Sequence, residues 1–171
     1  MQIIKAPDVK LRTKTKHVKK ITPELIKLSS EMIKFAKTFK DPEGVGLSTN
    51  QIGRCERFFV AKIGDEFEVF FNPEIHNFSP KTKIFFEGCL SIPDYYGETI
   101  RPISAKVSYL NKNGEKVTKT LRGFASWIFQ HEFDHMEGVL FMDRVISQKG
   151  KVFKFAGKDK TGSDMFEEIK V

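Results

Sequence analysis

The run Gln130-His131-Glu132-Phe133-Asp134-His135 constrains this chain more than any other stretch. Two of its 4 histidines stand four residues apart with a carboxylate beside the first. On a helix, positions i and i+4 lie one turn apart on the same face, so both imidazoles reach one metal ion if this segment is helical. Glu132 is then placed to take a proton from water activated at that ion. The spacing predicts a helix over 124–137 with one face given to chemistry. That face also carries Phe124, Trp127 and Ile128, at helical offsets of seven, four and three before His131. Ala125, Phe129, Phe133 and Met136 fall on the opposite face and are the expected core contacts.

A catalytic tetrahedral metal commonly has three protein ligands and one open position, so two histidines leave one ligand to find. The chain has two cysteines, Cys55 and Cys89. Cys55, in Gly53-Arg54-Cys55-Glu56-Arg57 at the entry to an apolar segment, reads as an inert small hydrophobe. Cys89 sits in Glu87-Gly88-Cys89-Leu90-Ser91, where spacing alone leaves ligand and inert thiol both open.

Three blocks, in order, resemble the peptide deformylase family: Gly44-Val45-Gly46-Leu47-Ser48-Thr49-Asn50-Gln51, Glu87-Gly88-Cys89-Leu90-Ser91 and His131-Glu132-Phe133-Asp134-His135. The family patterns are GxGLAAxQ, EGCLS and HExxH. Asn72-Pro73-Glu74-Ile75, Gly97, Arg101-Pro102 and Glu137-Gly138-Val139-Leu140-Phe141 extend the likeness over roughly residues 6–147. HExxH alone is shared with many zinc proteases; the three blocks together are far more specific. The resemblance implies Cys89 as third metal ligand beside His131 and His135. It implies Gln51 and the backbone N–H of Leu90 as donors to an oxyanion, with Glu132 as the proton-transfer residue. It further implies hydrolysis of the N-formyl group from the formyl-methionine of nascent chains, with release of formate. The metal implied is ferrous iron in cells, with zinc or nickel able to occupy the same site. Val45, Gly46, Gly88, Trp127 and Ile128 are the expected substrate contacts; the two glycines would let a substrate strand approach the backbone. Arg101 is either a further substrate contact or a surface charge.

The family's usual Ala-Ala in the first block is Ser48-Thr49 here, adding two hydroxyls that need partners if buried. Trp127, just before His131, is expected to shape the pocket for the methionine side chain. An HExxH zinc peptidase and a catalytically silent family member are the alternative readings. A peptidase would draw a third ligand from a downstream acid or histidine, and Glu137, two residues past His135, is too close for the usual return.

Composition suits a single domain of 171 residues with 40% hydrophobic and 30% charged residues. No run is apolar enough to span a membrane, and Met1-Gln2-Ile3-Ile4-Lys5 lacks a signal peptide's apolar core. Two cysteines make no disulfide framework, so a reducing, cytoplasmic setting is expected. Residues 1–40 carry eleven Lys or Arg against three acids, more than accounting for the net charge of +7. Such a segment suits either ordinary solvation or transient contact with the ribosome. No motif for specific DNA recognition is present.

Thr22-Pro23-Glu24 reads as a helix start, with Leu25, Leu28, Met32, Ala36 and Phe39 at helical spacing and Asp41-Pro42-Glu43-Gly44 as the stop. Hairpins are expected for 57–63 with 66–72, and for 105–110 with 116–121 around Asn111-Lys112-Asn113-Gly114. Together these predict an α+β domain. The resemblance adds antiparallel β-sheets packed around a central metal-binding helix. The catalytic domain is expected over 1–147. Residues 148–171 form a polar tail whose glycines, at 150, 157 and 162, count against the helix many bacterial relatives carry there, leaving it extended or mobile.

Overall fold

Among the described residues, 1–40 and 42–170 of a computed structural model, the chain forms nine strands in two antiparallel sheets, with three α-helices. The first helix, α1 (Pro23–Ala36), begins as the sequence predicts: Thr22 accepts from the Leu25 N–H at 3.4 Å, and Pro23 occupies the first turn. Leu25, Ser29, Met32 and Ala36 form its buried stripe. Phe39 lies past the helix end, and the expected stop includes Asp41, outside the described residues.

The five-stranded sheet has the order β1 (Gly46–Ser48), β2 (Phe58–Ile63), β3 (Glu66–Phe78), β6 (Ser104–Leu110), β7 (Lys116–Arg122). Both expected hairpins are here, with Ile63 opposite Glu66 and Ala105 opposite Leu121. Strand β3 runs on to Phe78, past the expected end at 72, through a register shift between Phe71 and Glu74. That bulge absorbs Pro73, which has no N–H to give a ladder. Asn72, with φ 48°, turns its amide to Val18 instead, accepting from its N–H and donating to its carbonyl.

The second sheet has the order β4 (Thr82–Cys89), β5 (Ile92–Pro102), β8 (Val152–Lys158), β9 (Asp164–Ile169). Its last two strands come from the segment read as a polar tail; Tyr96 of β5 pairs with Phe153 of β8. The glycines lie outside or near the end of β8 and permit the hairpin, Gly162 standing in its turn with φ 84°.

Between the sheets runs α2 (Gly123–Met136). Ile128, Phe129 and Met136 pack with Phe59, Phe70, Val107 and Leu121 of the five-stranded sheet, and α1 packs with Leu47, Phe58, Val60 and Phe71. A short helix not anticipated from sequence, α3 (Phe141–Ser147), buries Phe141 and Val145 with Cys89 and Val152. The architecture is the expected α+β one, with the histidine helix at its centre.

Candidate active site

Helix α2 presents His131 and His135 on one side, their ring centroids 5.1 Å apart. Strand β4 brings Cys89 against them, its Sγ 3.3 Å from His135 Nε2. One ligand atom from each of Cys89, His131 and His135 falls within 4.8 Å of the other two. A thiolate with two imidazoles is a donor set for zinc, iron or nickel, and the spacing fits a single ion.

The donor set is held by a buried ionic lattice that the sequence reading did not anticipate. Strand period two puts Glu87 on the same face of β4 as Cys89, towards α2. The Glu87 carboxylate accepts from His131 Nδ1 at 2.8 Å, from Arg101 Nη2 at 2.9 Å and Nε, and from Thr99 Oγ1. Binding Nδ1 in this way leaves His131 Nε2 for the metal side. Arg101 Nη1 donates to Asp134 at 2.8 Å, and Arg144 of α3 closes on the other side of Asp134. Arg101 is only 2% exposed, so it is neither the surface charge nor the substrate contact expected; it neutralises two carboxylates behind the histidines. Burial on its own raises the Glu87 pKa, but the hydrogen bonds from Arg101 and His131 outweigh it and hold the carboxyl well below the usual range. His135 is held neutral, chiefly by burial, as a ligand must be.

Across the cavity from Cys89, the first block runs from β1 into a 3₁₀ turn at Thr49–Ile52. The Ser48 N–H donates to Gln51 Oε1 at 2.9 Å, which fixes the amide so that Nε2 faces Cys89 Sγ (3.4 Å) and Ser91 Oγ (3.1 Å). Asn50 Nδ2 donates to the His135 carbonyl at 2.6 Å and ties this turn to α2. The two extra hydroxyls both find partners. Thr49 donates to the Glu56 carbonyl, and Ser48 donates to Glu132 Oε2 at 2.6 Å and to the Glu132 carbonyl at 3.2 Å. Burial raises the Glu132 pKa, opposed by His131 and by the Ser48 hydrogen bond. The carboxylate is thus moved towards the range where it can both take and give a proton.

The two glycines also make room for side chains of the protein itself. A methyl placed on Gly46 would stand 2.2 Å from Glu132 Oε1, and one on Gly88 would stand 2.7 Å from Tyr96 Cε1. The space over each is filled by a side chain of the protein itself. Gly46→Ala must therefore push the Glu132 carboxylate aside. We expect about a hundredfold lower turnover at unchanged metal content, measured by steady-state assay and metal analysis.

Apart from the buried His135 and Arg101, the site residues expected from sequence line one cavity of about 230 Å³: Val45, Gly46, Gln51, Gly88, Cys89, Leu90, Trp127, Ile128, His131 and Glu132. The Trp127 indole is stacked on Phe85, centroids 5.3 Å apart and 8° from parallel, and so forms a fixed wall. Glu137, the downstream acid, pairs with Lys14 and Arg57 and takes no part in the trio. Cys55 is exposed and lies outside the metal-ligating trio, in keeping with its reading as a cysteine that is not a ligand. His17 and His76 are exposed. Among the described residues, no helix is long and apolar enough to cross a membrane.

Residues 1–151 match the family model described as polypeptide deformylase. A peptide deformylase of Thermotoga petrophila is 42% identical over 142 residues, covering 83% of this chain and 85% of the relative. One from Mesorhizobium japonicum is 39% identical over 167 residues, covering 92% and 93%. The crystal structure of the Thermotoga maritima peptide deformylase aligns with a TM-score of 0.78 at 41% identity, covering 84% of this chain and 95% of that one. Sequence and backbone agree over the portion that carries the trio, its supporting lattice and the glutamine turn, and on that ground the chain belongs to the polypeptide deformylase family of metal-dependent hydrolases.

Proposed function

We propose that this chain hydrolyses the N-formyl group from the N-terminal formyl-methionine of nascent proteins, releasing formate. The observation that carries the reading is that buried Glu132, Gln51, Cys89 and His131 line one cavity, with His135 completing the metal-ligating trio beside it. A divalent metal bound by those three residues would acidify water and polarise the formyl carbonyl. Glu132, oriented by Ser48, takes the proton from the attacking water and passes it to the departing amine. Gln51 Nε2 and the Leu90 backbone N–H donate to the carbonyl oxygen as it gains charge. Val45, Gly46 and Gly88 flank the substrate main chain, while Trp127 and Ile128 receive the methionine side chain.

The Cys/His/His donor set by itself suits zinc, whereas the likeness to the family favours ferrous iron as the metal in cells, with zinc or nickel able to take the same site. The lysines of residues 1–40 are exposed, which supports transient ribosome contact, and the free thiol of Cys55 suits a reducing cytoplasm. The reaction class is tested by offering formyl-Met-Ala beside an unformylated hexapeptide. Formate from the first without cleavage of the second is expected; cleavage of the hexapeptide would establish a peptidase instead. Replacing the fixed indole wall is expected to alter selectivity. Trp127→Leu should change the ratio of kcat/KM for formyl-Met over formyl-Leu peptides by about fivefold to tenfold, and an unchanged ratio would remove Trp127 from the pocket.

A further inference from the structure

The two donors assigned to the oxyanion belong to different sheets. Gln51 stands in the 3₁₀ turn that follows β1 of the five-stranded sheet. Leu90 stands in the turn between β4 and β5 of the four-stranded one. Each sheet is a separate ladder, so among the described residues no strand pairing sets one turn against the other. Yet donors to an oxyanion act only if both sit within hydrogen-bond reach of the same atom.

The main chains of the two turns are joined by the first residues of the chain. The Ile4 N–H donates to the Gln51 carbonyl at 2.7 Å, and the Ala6 N–H donates to the Ser91 carbonyl at 2.9 Å. Ser91 directly follows Leu90, and both accepting residues are buried. In extended chain, alternate residues lie about 6.6 Å apart and face the same side, so positions 4 and 6 span the two turns with a fixed step. Gln51 also donates from Nε2 to Ser91 Oγ at 3.1 Å. That donor is the one the carbonyl oxygen engages, which leaves the main-chain bonds to keep the spacing.

The segment is itself held on both sides. Ile3 is buried in the cluster that contains Leu47 of β1, and Ile52 and Leu90 pack against that cluster. Further on, Leu11 is fully buried, and the Thr15 N–H and hydroxyl both donate to the Met136 carbonyl, at 2.9 and 3.1 Å. Residues 3–15 thus tie the end of the helix that carries His131, Glu132 and His135 to both oxyanion turns. We propose that Ile4 and Ala6 are positioning residues, whose N–H groups brace the two turns so that Gln51 Nε2 and the Leu90 N–H meet on one developing oxyanion. The inference rests on the deformylase reading of those two donors. Neither Ile4 nor Ala6 lines the catalytic cavity, so their effect falls on the transition state and hence on kcat rather than KM.

The test compares the full metal-loaded chain with versions in which one amide becomes an ester. Lactic acid replaces Ala6, or the hydroxy-acid counterpart of isoleucine replaces Ile4. Each exchange removes one N–H and keeps the side chain. The same exchange at Lys5, whose N–H joins neither turn, is the control. Either ester at position 4 or 6 is expected to lower kcat on formyl-Met-Ala by about tenfold, with KM, metal content and melting temperature nearly unchanged. A phosphonate analogue of the tetrahedral intermediate should bind about tenfold more weakly, while the product Met-Ala binds as before. Unchanged kcat overturns the proposal, and so does an equal loss from the Lys5 ester. A loss carried by KM, metal content or melting temperature also overturns it, because the segment would then be purely structural. Failure of the unmodified chain to release formate would instead overturn the deformylase reading itself, so the two failures are told apart.

Discussion

Glu132→Ala is expected to lower kcat for formate release by about 10³-fold while the protein keeps its fold and its metal. The carboxylate is not one of the three ligands, so its loss leaves Cys89, His131 and His135 in place. What disappears is the group that moves the proton, a contribution of about 10²–10⁴-fold where a positioned side chain performs it. Ser48 loses its side-chain acceptor but keeps the Glu132 backbone carbonyl, so no buried hydroxyl is stranded. The acid limb of the wild-type rate profile should report the same group. Burial chiefly raises its pKa, so the base form should be lost, and the rate fall, at a higher pH than for a solvent-exposed glutamate. Metal analysis beside kcat distinguishes the outcomes; a drop of less than tenfold with metal retained would remove Glu132 from the proton path.

Glu87→Gln is expected to be the most destabilising conservative change in the chain. The carboxylate is fully buried and is paired with Arg101, which is itself buried. Breaking such a pair from one side costs about 3–5 kcal/mol, because the remaining guanidinium keeps only part of its compensation. His131 loses the acceptor that orients its ring, which should weaken metal affinity by about 10–100-fold. The pH dependence has a definite sign. The folded-state pKa of Glu87 lies below its unfolded value, so the stabilisation is fully present above about pH 4.3 and is lost as pH falls through the lower folded value. The stability difference between wild type and Glu87→Gln, measured by urea unfolding, should therefore narrow below about pH 4. A gap of under 1 kcal/mol at pH 7 would mean that the ionic lattice is not holding the site.

The parts of this molecule that sequence made legible are those whose patterns follow simple rules. The i, i+4 histidines announced α2, Thr22-Pro23 announced α1, and alternation with turn residues announced the β2–β3 and β6–β7 hairpins. The β4–β5 hairpin was not anticipated because its polarity is inverted. Its buried face carries Glu87, Thr99 and Arg101, whereas Ile84 at 58%, Phe86 at 42% and Ile100 at 45% exposure lie on the other. A rule that places apolar residues inward misreads such a ribbon. The signal was nevertheless there: Glu87 stands two residues before Cys89, and a period of two puts both on one face. Arg101 stayed open between substrate contact and surface charge for a related reason: its partners Glu87 and Asp134 are distant in sequence. The glycines of the motifs identified the right positions without revealing why, because the neighbours that require them, Glu132 and Tyr96, approach only in the folded chain. For residues 148–171 the glycine argument pointed away from a helix; what composition could not reveal was that Tyr96 of β5 offered an edge to pair with.

The central claim, that the Cys89–His131–His135 site serves formyl hydrolysis, is tested most directly by formate release from formyl-Met-Ala with protein loaded anaerobically with ferrous iron. The account predicts one formate for each free Met-Ala amine produced, with activity lost on removing the metal and regained on its return. Absence of formate from protein shown to hold one metal per chain at those three residues would contradict it.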